Sequence, residues 1–258
     1  MKINRIHKIQ EILEDNQSVS INRLCDIFNV SKNTIRRDIA ELEKRDLIKK
    51  VYGGIMLKPT TTAPEPFASR EIKNSPQKKQ IARLAAELVS DGEVIYIDSG
   101  TTTMHMIPYL AEKNNITIVT ASLNVINAAT AYNQFNVIST GGTLYLPSKA
   151  FVGTSVLNCL KNYNISKAFL ASTGISLEKG VTNAAPLEYE IKQYLVQKCS
   201  IKILLADSSK IDKASLMTYC QLKDISCLII DKEPPANYLA YLKENNIRLL
   251  TTSLHEPS

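Results

Sequence analysis

The chain has 258 residues, 44% of them hydrophobic, with 31 Lys+Arg against 25 Asp+Glu for a net charge of +6. That length exceeds one average domain and that apolar content supports a sizeable core, so global disorder is excluded and two domains are expected. No run of about 18 apolar residues occurs and the charged N-terminus lacks a signal-peptide core, so no membrane span is expected and the expected compartment is the cytoplasm.

The charge is unevenly spread. Residues 1–58 carry 12 Lys+Arg against 8 Asp+Glu, while the remaining 200 residues carry 19 against 17. A small basic head on a near-neutral body is the pattern of a nucleic-acid-binding module joined to a second domain. The five scattered cysteines form no C-x-x-C pair and read as buried small hydrophobes in a reducing compartment. No metal site is expected from them.

Taken in order, Ile6, Ile9, Ile12 and Leu13 predict a first amphipathic helix ending near Asn16. Ser20 is placed to cap a shorter helix carrying Ile21, Leu24, Ile27 and Phe28, and Asn29-Val30 makes a tight turn. Ser31 then caps a further helix, in which Ile35, Ile39 and Leu42 share one face while Lys32, Asn33, Thr34, Arg36 and Arg37 crowd the first two turns. A capped helix with basic and amide side chains at its start is suited to phosphates and base edges, although a solvated amphipathic helix has the same periodicity. Short helix, turn and basic helix make a helix-turn-helix. The runs 47–52 and 55–57 around Gly53-Gly54 predict a β-hairpin, the wing of a winged helix-turn-helix. The predicted DNA-binding set is Ser31, Lys32, Asn33, Thr34, Arg36 and Arg37, with double-stranded operator DNA as the partner.

The Pro/Thr-rich stretch 58–66 predicts an extended connector, and the linker is set at 59–74 between a head of 1–58 and a body of 75–258. A helix begins at about Ser75, with Ile81, Leu84, Ala85 and Leu88 on its buried face. Strands are expected at 94–98, 117–121, 136–140, 167–172, 202–207, 227–231 and 248–251, with helices near 102–113, 122–132, 153–163, 186–198 and 235–245. This alternation predicts an α/β fold with a mostly parallel sheet covered on both faces.

Ligands of such sheets bind beyond the carboxyl ends of the strands. There the first strand delivers Asp98-Ser99-Gly100-Thr101-Thr102-Thr103 into a helix start, an anion cradle of amides and hydroxyls that lacks the Lys of a P-loop. The following strand ends bring Ser122, Gly141 and Gly142, Gly174, and Asp207 and Lys210 to the same rim. Each loop alone also fits ordinary turn and cap chemistry. Lys210 suits a phosphate and Asp207 a sugar hydroxyl. His105 is read as a helix-face residue and not as a catalytic base.

Val30-Ser31, Thr34-Ile35-Arg36-Arg37-Asp38-Ile39, Leu42-Glu43 and Gly53-Gly54 resemble the signature of DeoR-family transcriptional regulators. The likeness continues through Phe67 and Arg70, 97–102, 140–142, 151–153, 180–182, Glu188 and 205–210. It implies contacts to DNA from Thr34, Arg36 and Arg37, with Asp38 left either to orient a neighbouring arginine or to support the helix start. It also implies an effector domain resembling ribose-5-phosphate isomerase, a phosphorylated sugar as effector, Glu188 in its site, and a homo-oligomer (dimer or tetramer). Three positions depart from the family pattern: Asp46 replaces a usual Gly, Ala121 a usual Asn, and Ser166 a common Asp. The function expected is a repressor of a sugar-uptake or catabolism operon, with no catalytic residue and no cofactor. The competing reading is a sugar-phosphate isomerase with an accessory head, which would need a general base among Asp98, Glu188, Asp207 and Lys210.

Overall fold

The structure is a computed structural model, which describes residues 5, 6, 8, 9, 12, 13, 18–44, 48–51, 53–57 and 65–252. Asp46, the end of the first helix at Asn16 and the connector residues 58–64 lie outside the described residues. The chain divides into two compact units, Met1–Thr61 and Thr62–Ser258.

In the first unit, residues 5, 6, 8, 9, 12 and 13 are helical, followed by helices Ile21–Phe28 and Lys32–Lys44. The Ser20 side chain accepts from the Arg23 amide at 3.1 Å, and Asn29 ends the helix in the left-handed region at φ 48°. Ser31 Oγ accepts from the Thr34 amide at 3.3 Å and starts the next helix. The wing has one strand more than the sequence suggested. Ser18–Ser20 pairs with Gly54–Leu57, which pairs in turn with Ile48–Val51, all antiparallel. A Cβ on Gly54 would lie 2.4 Å from the Val19 carbonyl oxygen, so this close strand approach admits no side chain. Ile6, Ile9, Leu13, Leu24, Ile35, Ile39, Leu42, Ile48 and Ile55 form the core, whereas Ile27 is exposed, contrary to its expected place on the buried face.

The second unit is built on a seven-stranded parallel sheet in the order Arg248–Thr251, Cys227–Ile230, Ile201–Ala206, Lys167–Ala171, Val94–Ile97, Thr117–Thr120, Asn136–Ser139. All seven strands were expected from the sequence. Because side chains alternate across a strand, Ile95, Ile97, Phe169, Ile203 and Leu205 face one layer with helix Ser75–Glu87. Tyr96, Ala168, Leu170, Leu204 and Ala206 face the other, with helices Thr154–Leu160, Pro186–Lys198 and Ala236–Glu244. A smaller antiparallel sheet (Gly174–Ser176, Gly180–Asn183, Met217–Cys220) and a hairpin (Thr143–Tyr145 with Ala150–Val152) were not anticipated.

Part of the expected linker, 59–74, is helical. Phe67–Ile72 is a helix, Phe67 is buried, and its amide donates to the Pro147 carbonyl at 2.9 Å. An aromatic ring five residues beyond the second unit's start anchors this stretch to the body. The order of the sheet also fixes where its connections diverge. From Val94–Ile97 the chain runs outward one way through two strands, then returns to place Lys167–Ala171 on the other side. The strand order therefore reverses between these two neighbours, and the crevice at their carboxyl ends is the favoured ligand position.

Candidate nucleic-acid interface and anion cleft

On the Lys32–Lys44 helix, Ser31, Lys32, Asn33, Arg36 and Arg37 are exposed and Thr34 is half-buried, while Ile35, Asp38 and Ile39 are buried. Lys32, Arg36 and Arg37 pair with no carboxylate among the described residues. The six predicted DNA-binding residues thus share one solvent-facing, basic helix start. Asp38, the acidic member of the Thr-Ile-Arg-Arg-Asp run, faces the opposite way. It accepts from Arg5 Nε at 2.6 Å and from Arg5 Nη2 at 3.2 Å, and this bond holds the Arg5 guanidinium above its usual pKa. Neither role left open for Asp38, orienting a neighbouring arginine or supporting the helix start, is the one seen, since its partner is Arg5. That arginine lies on the first helix, so the pair clamps the recognition helix to its own domain.

In the second unit, Asp98 ties the two strand ends at the topological switch point. Its Oδ1 accepts from the Ser99 amide at 2.9 Å and its Oδ2 from the Ala171 amide at 2.8 Å, and Oδ2 also forms a buried ion pair with Lys192. Lys192 donates onward to the Ala171 carbonyl at 3.0 Å. Gly100 admits no side chain, since a Cβ would lie 2.3 Å from that of Ala171. Thr103 Oγ1 donates to the Asp98 carbonyl at 2.7 Å and accepts from the Gly100 amide at 3.1 Å, so its hydroxyl staples the turn.

Beside this turn lies a cleft of about 30 Å³ lined by Gly100, Thr101, Thr102, Ser172, Thr173, Asp207 and Lys210, together with Arg70 and Lys78. The hydroxyls of Thr101 and Thr102 make no hydrogen bond among the described residues, and the buried Ser172 Oγ has no partner. Three cations converge here. Burial lowers the pKa of Arg70, lowers that of Lys78 to about 8, and lowers that of Lys210, in each case partly offset by a nearby carboxylate. Crowded, partly desolvated cations beside free hydroxyls and a helix start are suited to an anion.

The structure therefore brings Gly100, Thr101, Thr102, Asp207 and Lys210 together, with Asp98, Ser99 and Thr103 as the scaffold behind them. The other predicted effector residues do not line the cleft directly, although the Glu188 charge acts on Arg70. Ser122 is fully buried and caps the Leu123–Ala129 helix through the Val125 amide at 3.2 Å. Gly141 and Gly142 have φ of 62° and 110°, and a Cβ on Gly142 would meet the Val152 carbonyl at 2.7 Å. Gly174 likewise lets its strand pass the Lys213 carbonyl. Glu188 is buried in the first turn of its helix, with Oε2 accepting from Asn183 Nδ2 at 3.0 Å and Oε1 without a partner. Asn183 in turn reaches Thr173 of the cleft. Asp207 Oδ1 is engaged, accepting from Asn74 Nδ2 at 3.0 Å and from the Ser209 amide at 3.1 Å. His105 is half-buried with an unpartnered Nε2, and burial lowers its pKa. Of the departures from the family pattern, Ala121 is packed in the core and Ser166 bonds the Val94 carbonyl at the opposite end of the sheet from the cleft.

Sequence reasoning missed Arg70, Lys78 and Lys192 as site residues. A signal existed for the two lysines. Lys78 precedes Ile81, Ala82 and Ala85 at helical spacing, and Lys192 falls with Ile191 and Leu195, so each is a cation on an apolar face. Both are almost fully buried.

A basic helix-turn-helix head joined to an α/β body with an anion cleft at its switch point defines a ligand-responsive DNA-binding regulator. The chain belongs to the DeoR family of transcriptional regulators: residues 5–61 match the DeoR-like helix-turn-helix domain and residues 73–232 the DeoR C terminal sensor domain. It is 40% identical over 247 residues to the HTH-type transcriptional regulator IolR of Bacillus subtilis (strain 168), covering 96% of this chain and 98% of that one. It is 28% identical over 229 residues to the transcriptional repressor AccR of Agrobacterium fabrum, covering 88% and 89%. The HTH-type transcriptional repressor GlcR of Bacillus subtilis is 29% identical over 252 residues, covering 98% and 97%. A D-ribose-5-phosphate isomerase solved with phospho-erythronic acid is 17% identical, with a TM-score of 0.41 over 53% of this chain and 54% of that one. The family consists of DNA-binding regulators, so the isomerase alternative is set aside. Among the described residues no helix is long and apolar enough to cross a membrane.

Proposed function

We propose that this regulator represses a sugar-uptake or catabolism operon from the cytoplasm, and that a phosphorylated sugar bound in the cleft changes its hold on operator DNA. Residues 1–58 form the DNA-binding head and 75–258 the sensor body, and the Phe67–Ile72 helix of the linker packs on that body. Ser31, Lys32, Asn33, Thr34, Arg36 and Arg37 meet the DNA, and the protein acts as a homo-oligomer on repeated half-sites.

The observation that carries this reading is the meeting of Arg70, Lys78 and Lys210 with the hydroxyls of Thr101 and Thr102 at the switch point. A phosphate monoester carries nearly two negative charges at neutral pH, enough to offset this cluster, and its oxygens match the hydroxyl and guanidinium donors. Glu188 and Asn183 lie behind Thr173 as acceptors for the sugar hydroxyls. The relatives named as repressors, AccR and GlcR, support the sign of the regulation.

The test is a thermal-shift screen of the full-length protein against sugar phosphates and the same sugars without phosphate. A ligand that binds the folded state raises the melting temperature with its concentration. Stabilisation by one or more sugar phosphates, and release of bound DNA by the same compounds, is the expected result. Equal stabilisation by the unphosphorylated sugars would overturn the assignment.

A further inference from the structure

The helix that enters the body, Phe67–Ile72, is held in two unlike ways. Its N-terminal end is anchored by apolar burial: Phe67 is 2% exposed, its ring lies 5.5 Å from both Arg70 Cζ and Lys149 Nζ, and its amide bonds Pro147. Its C-terminal end is held by groups that belong to the anion cleft. Lys78 Nζ donates to the Arg70 carbonyl, and Asn74, strained at φ 54°, donates to Asp207 at 3.0 Å. The Arg70 side chain lines the cleft while its Nε donates to the Glu65 carbonyl at 2.9 Å.

A cleft of about 30 Å³ has room for about one water, so a phosphate bound among Arg70, Lys78 and Lys210 requires the lining to move. Lys78 and Arg70 each give one N–H to a backbone carbonyl and keep others for an anion. A six-residue helix has too few internal hydrogen bonds to persist in water alone, so it keeps its place only while such contacts hold it. It is also the first described element of the body after the DNA-binding head.

Resting on the anion-cleft reading above, we propose that Arg70 is an effector ligand carried by the segment that leads in from the head, and that phosphate binding shifts the Phe67–Ile72 helix as the cleft opens to admit the anion. The coupling that regulation requires then has a physical carrier. The effector distinguishes two positions of one helix, and its differential affinity for them sets how far the equilibrium moves.

The experiment uses the full-length protein with inorganic phosphate as the probe. Calorimetric titration gives affinity, hydrogen exchange followed by mass spectrometry reports on amides 67–74, and a thermal melt of each variant confirms folding. Arg70→Met is expected to weaken phosphate by about tenfold and to abolish the exchange response of 67–74 that phosphate produces in the parent protein. Arg70→Lys, which keeps the charge without the planar fork, should fall between the two. Parent-like phosphate affinity in Arg70→Met, or exchange across 67–74 that saturating phosphate leaves unmoved, overturns the proposal. Lys210→Met separates the two readings. If it loses phosphate while Arg70→Met does not, only the coupling role fails. If both bind phosphate as the parent does, the anion cleft fails as well.

Discussion

Replacing Asp38 with Ala should destabilise the DNA-binding head while removing no group that faces DNA. The carboxylate is 1% exposed and accepts both prongs of the Arg5 fork, at 2.6 and 3.2 Å, and Arg5 itself is 18% exposed. Removing one partner of a fully buried pair costs about 3–5 kcal/mol, whereas exposed pairs are worth about 0–1 kcal/mol. Arg5 retains some access to water once Asp38 is gone, which places Asp38→Ala at about 2 kcal/mol. Arg5→Ala leaves the more deeply buried carboxylate without a partner and should cost more, about 3 kcal/mol. For a domain of this size, about 2 kcal/mol corresponds to a fall of roughly 10 °C in melting temperature. Urea or thermal unfolding of the full chain, with the head's transition marked by loss of operator binding, measures the single and double variants. The double variant should cost less than the sum of the singles by about 1–2 kcal/mol. Strict additivity, or weakened DNA binding with an unchanged melt, would refute the clamp and return Asp38 to the DNA interface.

The exposed arginines should behave in the opposite way. Arg36→Ala and Arg37→Ala should each weaken operator binding by about 1–3 kcal/mol in a gel-shift assay and leave the melt in place, and unchanged affinity in both would remove this helix as the reader of DNA. Thr101→Glu, which puts a carboxylate among the cleft cations, should abolish the sugar-phosphate response but not DNA binding, and a variant that still responds would displace the anion site. Burial holds Lys78 at a pKa of about 8 against 10.5 in the unfolded chain. The unfolded state therefore binds more protons between pH 8 and 10.5, so this residue makes the body more stable as pH rises through that window, by about 3 kcal/mol at most. Below pH 8 its burial penalty is fully present. Lys78→Met should flatten the rise across pH 8–10.5, as read by urea unfolding at several pH values, and an identical pH profile in the variant would contradict the assignment.

Much of this was legible because periodicity and capping are local. The spacing of Ile35, Ile39 and Leu42 dictates which side of the recognition helix is buried, and so exposes Arg36 and Arg37 without reference to the rest of the chain. Ser20 and Ser31 act as caps as their positions imply, and all seven parallel strands follow from short apolar runs between helical patterns. The loops after Val94–Ile97 and Ile201–Ala206 meet at one cleft because parallel strands direct all their carboxyl ends the same way.

The partners of charged groups were a different matter, because they depend on residues far apart in sequence. Asp38 finds Arg5, Asp98 finds Lys192 94 residues away, and Asp207 finds Asn74. Strand order, which no single stretch encodes, places the switch point between the first strand and the fourth. It thereby sets Ser122 one strand, and Gly141 and Gly142 two strands, to the side of the cleft although their loops lie on the same rim. The Phe67–Ile72 helix was invisible for a related reason: six residues after a Pro-rich stretch have no periodicity to read, and their structure comes from burying Phe67 against the body. Sequence alone thus determined which faces are apolar and which ends are basic, since those follow from neighbours along one helix or strand. Only the tertiary structure decided which charges meet, because an ion pair or a cleft exists only where distant segments are brought within hydrogen-bond distance.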